Sequence, residues 1–211
     1  AMSWLSGRLD MGKNYEWLEL AVYNGKYYLS FPPLPSVVML PFVLLFGERT
    51  PSNLVSALYG IFTAMIAYKI LKKAGMKRGG AVFFAIAYVW GSNMLWLSTS
   101  GGVWFLAQGL NMLLLTACVY FAQQKMRVAA YAMAALAVGC RPFSVCMFLP
   151  LMAYFYTADK DRPRADRIRG QIRSLIIPAF IALCYMLYNY VRFGNVLEFG
   201  HNYLPEFTES E

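Results

Sequence analysis

The chain has 211 residues, 59% of them hydrophobic and 14% charged, with a formal net charge of +8. That is more apolar surface than one soluble core of this size requires, so bilayer residence comes first and an ordinary soluble globule is set aside. The positive charge falls in short clusters between apolar runs, which favours cytoplasmic loops of a polytopic protein over a nucleic-acid-binding surface.

In chain order, residues 1–33 form a polar loop carrying Asp10, Glu16 and Glu19. Within it, Asn24-Gly25 predicts a tight turn, and Tyr27 and Tyr28 suit the headgroup level with ring inside and hydroxyl out. Pro32-Pro33 forbids helix where the chain meets lipid. The next segment, 34–47, is apolar but contains Pro35 and Pro41. As ideal helix it reaches about 21 Å, short of a hydrocarbon core of about 30 Å, so it is expected to lie along the outer face or re-enter from it.

Spans are then expected at 53–71, 81–97, 103–122, 128–140, 142–156 and 174–191. Lys72, Lys73, Lys77 and Arg78 separate the first two, Lys125 and Arg127 follow the third, and six further cations lie between Lys160 and Arg173. The positive-inside rule puts all three clusters in the cytoplasm. Residues 98–102 then form an outer hairpin tip. The apolar stretch 128–156 must cross twice, with a break at Cys140-Arg141-Pro142 that sets Arg141 at or below the outer surface.

Residues 193–211 begin a further external loop on this topology. The outer side then holds eight of the eleven acids, Glu209 and Glu211 among them. Acids contribute little to orientation, so the skew points to chemistry on the outer face. The expected fold is an all-α polytopic integral membrane protein, with about six transmembrane helices and one short external re-entrant or interfacial helix. An external loop (1–33), a transmembrane domain (34–192) and the start of another loop (193–211) make up its parts. With Ala1 at its head, no signal-peptide pattern and no terminal anchor, the chain is read as a fragment of something longer.

Cys118, Cys140, Cys146 and Cys184 all sit in apolar runs without metal-like spacing and are read as small helix-packing residues. His201 is the only histidine and makes no metal site alone. No metal ligands are assigned; a divalent metal stays open as a cofactor, without a clear site.

The order Gly7-Arg8-Leu9-Asp10, Glu19-x-Ala21-x-Tyr23-Asn24-Gly25-Lys26-Tyr27-Tyr28 and Phe31-Pro32-Pro33-Leu34-Pro35, followed by a short apolar helix ending at Gly47, resembles the first external loop of GT-C membrane glycosyltransferases. The nearest likeness is to bacterial protein mannosyltransferase and aminoarabinose transferase groups. Trp104-Phe105-x-x-Gln108, Arg141-Pro142, Tyr188-Asn189-Tyr190-x-Arg192-Phe193-Gly194-Asn195 and Glu198-Phe199-Gly200 extend the resemblance over nearly the whole chain. It implies sugar transfer from a polyprenyl-phosphate donor to an acceptor lipid, glycan or protein, on the outward face of the bacterial cytoplasmic membrane, and no nucleic-acid partner.

Such transfer needs an acid to take the acceptor's proton, cationic or amide donors to hold the departing lipid phosphate, and an apolar groove for the prenyl chain. The resemblance implies a decisive Asp just after a first transmembrane helix, upstream of this chain's start, so the main catalytic acid lies outside the fragment. Glu19 matches a loop position often occupied by Asp, with Asp10 and Glu16 as further catalytic candidates.

Substrate-binding candidates are Arg141, Lys26, Tyr27, Tyr28 and Gln108. Each has a plain alternative. Loop acids are usually just solvated, a lysine beside two interfacial tyrosines snorkels, the tyrosines serve a membrane belt, and a glutamine near a helix end bonds a neighbouring helix. Arg141 is the strongest cation, since its fork of donors suits phosphate and a charge at a helix break in lipid is costly unless used. Two other classes remain in view. One is a transporter or channel segment, disfavoured by the near absence of ionisable residues within the spans; the other is a non-catalytic lipid-binding scaffold.

Overall fold

A computed structural model describes residues 1–208, the side chains of residues 207 and 208 excepted. Glu209 and Glu211, counted above among the outer acids, lie outside the described residues. The chain is mostly helical, 69% helix against 4% strand.

In chain order the elements are α1 (Met2–Leu5), β1 (Leu20–Tyr23), β2 (Lys26–Leu29), α2 (Leu34–Phe46), α3 (Ser52–Lys73), α4 (Arg78–Trp90), α5 (Met94–Leu97) and α6 (Val103–Gln123). After these come α7 (Arg127–Val138), α8 (Phe148–Ala158), α9 (Arg164–Ser174), α10 (Ile176–Phe193) and α11 (Pro205–Thr208). Two compact units divide them: residues 1–50 with 182–211, and residues 51–181.

The first unit contains structure where the sequence analysis expects a loop. β1 and β2 pair antiparallel, with Ala21 opposite Tyr28 and Tyr23 opposite Lys26. Asn24 and Gly25 join them with φ of 50° and 70°, the left-handed pair that a two-residue hairpin turn demands and that Asn-Gly adopts at little cost. Ala21 and Tyr28 pack on Phe193, around which Leu9, Tyr23 and Tyr203 close. Segments of 1–33 and of 193–208, drawn above as parts of separate loops, thus share one small core. Gly200 completes it: φ is 90°, and a Cβ there would run into the Phe193 ring.

In the second unit, small residues let helices approach closely. Gly60 of α3 faces Ser98 and Val89, and Gly109 of α6 lies against the Tyr59 ring. Ala130, Tyr131 and Ala134 of α7 pack on Cys118 and Ala122 of α6 and on Leu151 and Phe155 of α8. A polar joint is buried in this packing. The Tyr131 hydroxyl donates to Gln171 Oε1 at 2.6 Å, and Gln171 Nε2 donates to the Met152 carbonyl at 2.9 Å, tying α9 to α7 and α8.

Among the described residues, three helices are long and apolar enough to cross a membrane: Ser52–Lys73, Val103–Gln123 and the near-continuous Arg164–Phe193. Only 39%, 44% and 17% of their apolar windows are buried inside the molecule, so the remaining apolar surface suits lipid rather than water. The other apolar segments are shorter, each for a local reason.

The expected span 81–97 is interrupted where α4 ends at Trp90, and Ser92 accepts the Met94 N–H to start α5. The stretch expected as helix from 142 opens instead as a 3₁₀ segment, Pro142–Met147, and the break ahead of it follows from Pro142, which pushes the residue before it to extended backbone. Arg141 accordingly has φ −143° and ψ 113°. Leu175 separates α9 from α10 beside Pro178, which cannot donate to the preceding turn. The arginine-rich stretch expected to be a cytoplasmic loop is thereby mostly helix.

Candidate functional site

The site candidates divide between the two units. In the second, Arg141 stands between α7 and the 3₁₀ segment, with its guanidinium 4.8 Å from the centre of the Trp104 ring. Its Nη2 reaches the Trp104 carbonyl at 3.4 Å, a long bond, and its buried Nε has no hydrogen-bond partner. Desolvation lowers the guanidinium from its ordinary value, with Cys140 acting in the opposite sense. A fork of donors held by ring stacking and so little used by the protein is poised to accept an anion.

Gln108 of α6 is exposed and shares a cleft of about 550 Å³ with Arg141. Asn111 and Ser144 also line it, and the Ser144 hydroxyl donates to Asn111 Oδ1 at 2.7 Å, which leaves the Asn111 amide nitrogen as the donor of that pair. Sequence reasoning missed both residues. Their spacing shows one trace in hindsight, since Asn111 lies one helical turn beyond Gln108 and so shares its face.

A second, almost wholly apolar groove of about 520 Å³ runs along α3, α4 and α6, lined by Ile70, Phe84, Tyr88 and Val119 among others. Leu115 and Met147 wall both cavities. From Gln108 to Val119 the α6 axis advances about 16 Å. The two cavities therefore offer a polar, cation-bearing end and an apolar length that meet at common side chains.

In the first unit the candidates are more scattered. Glu19 is exposed at the foot of β1, where its backbone carbonyl accepts from Ser30 Oγ at 3.1 Å. Lys26 is exposed beside the turn at the other end of the hairpin, about 13 Å away along the strand, so these two candidates are held apart. Asp10 is half-buried, and its Oδ1 accepts from the Gly12 N–H at 2.8 Å, closing a local turn. Met11 N donates to the Tyr27 carbonyl, which lays the Asp10 segment against β2. Glu16 is exposed near a Tyr15–Trp17 edge-on ring pair.

Tyr27 is half-buried, whereas Tyr28 is buried with its ring 5.3 Å from Phe193. Named above for substrate binding, Tyr28 is placed as a core residue, because alternation along β2 turns it to the packed face.

The most elaborate polar cluster of this unit was only a motif in the sequence. Arg192 is 3% exposed, donates to the Leu29 carbonyl at 2.8 Å and to Asn189 Oδ1 at 3.2 Å, and stacks on Tyr188 and Phe193. Glu198, also buried, accepts from Gly200 N and Asn202 Nδ2. Among the described residues, no cluster of three His, Cys, Asp or Glu side chains could hold a metal ion.

No family model, no curated protein and no solved structure matches this chain.

Proposed function

We propose that this chain is part of a polytopic membrane glycosyltransferase of the GT-C kind, moving a sugar from a polyprenyl-phosphate donor to an acceptor on the external face. The observation that supports this reading most is the cleft in which Arg141 and Gln108 sit at the polar end and whose wall continues, through Leu115 and Met147, into an apolar groove. An amphiphile with one anionic head and a long hydrocarbon tail matches that layout.

In this reading Arg141, with Gln108 and Asn111, holds the lipid phosphate as it departs, and charge-assisted donors stabilise the negative charge that develops on it. Glu19 is the favoured acid of the fragment for the acceptor's proton, with Asp10 and Glu16 behind it, and Lys26 and Tyr27 contribute from the hairpin. The shorter apolar segments α4, α7 and Pro142–Ala158 complete about six crossings with the three long helices, and α2 stays on the outer side. The membrane is the bacterial cytoplasmic one, and the working face is outward.

The test is sugar transfer from a polyprenyl-phosphate sugar by the full-length protein in membranes. Arg141→Ala and Glu19→Gln should each reduce transfer by about tenfold or more while membrane expression holds. Unchanged transfer in both variants would remove the assignment. Labelling of a single cysteine at position 13 from outside intact cells reports the side of the first unit, and protection there would place it in the cytoplasm and break the reading.

A further inference from the structure

The α9 helix has one side committed to the protein and one side bare. On the inner side Arg167 donates to the Tyr156 carbonyl at 3.0 Å and Gln171 to that of Met152 at 2.9 Å. Gly170 lies there too, so close to α7 that a Cβ would fall 2.6 Å from Arg127 Nη1. At about 100° per residue these three positions share a face, and Ile168 and Ile172 fall on the opposite one.

Two observations say what covers that outer face. The first is continuity. Ile168, Ile172, Ile176 and Phe180 follow one another at intervals of four, each between 43% and 66% exposed. The bare apolar stripe of α10, part of a run long and apolar enough to cross a membrane, therefore continues past Leu175 into α9.

The second is charge. Arg164 flanks the stripe on one side and Arg169 and Arg173 on the other, all three exposed. Their guanidiniums form no hydrogen bond or ion pair among the described residues. Asp166, the one acid of the helix, lies on the far side of Arg173 from the stripe. A second copy packed stripe to stripe would set these arginines against their own counterparts, and like charges repel. An anionic leaflet has the opposite sign; its acyl chains take the isoleucines while the long arginine stems reach out to the phosphates.

We propose that α9 is an interfacial helix whose outer face lies at the boundary between acyl chains and headgroups of an anionic leaflet. Ile168 and Ile172 sit among the chains, and Arg164, Arg169 and Arg173 engage lipid phosphates. The inference rests on membrane insertion and not on the transferase reading, so sugar transfer is not its readout.

The full chain is reconstituted, one molecule per disc, in nanodiscs of phosphatidylcholine and phosphatidylglycerol. A nitroxide on Ile172→Cys, in a Cys146→Ser/Cys184→Ser background, should be relaxed by oxygen and shielded from a water-soluble nickel chelate. Access to the chelate equal to that of a label on Asp161→Cys would overturn the proposal. So would spin–spin broadening of the Ile172→Cys label in proteoliposomes, which would assign the face to a second copy.

Native mass spectra of the detergent-purified chain should show phosphatidylglycerol retained in preference to phosphatidylcholine. Arg164→Gln/Arg169→Gln/Arg173→Gln, which alters exposed and unbonded side chains, should weaken that preference about tenfold at an unchanged melting temperature, and the corresponding triple lysine variant should keep it. An undiminished preference in the folded glutamine variant would overturn the proposal by a route independent of the label.

Discussion

Arg192 and Arg141 look alike in the sequence, each a lone arginine near a helix end with an aromatic partner, yet the structure uses them in opposite ways. Arg192 is sealed in the first unit, where both of its terminal nitrogens are bonded to the protein and tie the end of β2 to α10. Arg141 makes one long bond and opens onto a cleft. The Nε of each is buried without a partner, so the difference lies in the terminal nitrogens: those of Arg192 are both bonded to the protein, which makes it a fastener, whereas those of Arg141 are largely left over. Burial and bonding, not residue type, separate the two roles.

The largest effect that would sharpen this contrast is on stability at Arg192. Replacing it with Ala leaves the Leu29 carbonyl and Asn189 without their charged donor, a loss of about 2–4 kcal/mol. That should appear as poor accumulation and a lowered thermal midpoint. A stable Arg192→Ala protein would mean that the cation does not fasten the hairpin.

At Arg141 the same substitution should leave the thermal midpoint nearly unchanged, within about 1 kcal/mol, because little bonding is lost. Under the proposed function its effect falls on ligand binding instead. Arg141→Lys should recover only part of the affinity for a polyprenyl phosphate, since an ammonium cannot present a planar fork. Full recovery would show that charge alone suffices.

Tyr131→Phe removes one buried hydroxyl from the joint with Gln171 and should cost about 1–2 kcal/mol in thermal unfolding, without altering binding at the cleft. The smallest effect is electrostatic. Hydrogen bonding from Arg127, with further help from Arg162 and Arg167, holds the Asp159 carboxyl below its ordinary range. A carboxylate of this kind contributes stability in full above its unfolded value near 4, and the contribution fades as the pH falls through the lower folded value. Asp159→Asn should therefore flatten the acid limb of a stability-versus-pH curve and leave the neutral region nearly parallel to the parent.

Several local features were legible without coordinates because they depend on neighbouring residues alone. Asn24-Gly25 specifies its turn, Pro142 forces Arg141 out of helix, and the long apolar runs around residues 52–73 and 103–123 specify helices that water would not tolerate bare. Other features failed at the same level for an equally physical reason. Tyr28 reads as a belt or binding tyrosine because a four-residue strand gives almost no periodic signal. The region 157–173 reads as a loop because charge is conspicuous there, while the helical spacing of Arg167, Gly170, Gln171 and Ser174 on one face is easily passed over.

The sequence by itself determined that this is a helical chain with apolar segments suited to lipid, cationic connections between them, a tight hairpin turn and a break at Arg141. Those are consequences of backbone sterics and of where charge can be afforded beside hydrocarbon. Only the tertiary structure decided that the two distant polar segments share a core around Phe193, that Arg192 is bonded out of reach, and that Arg141 opens onto a cleft that shares Leu115 and Met147 with an apolar groove. Such facts depend on which side chains meet across more than a hundred residues, and local propensity carries no record of that.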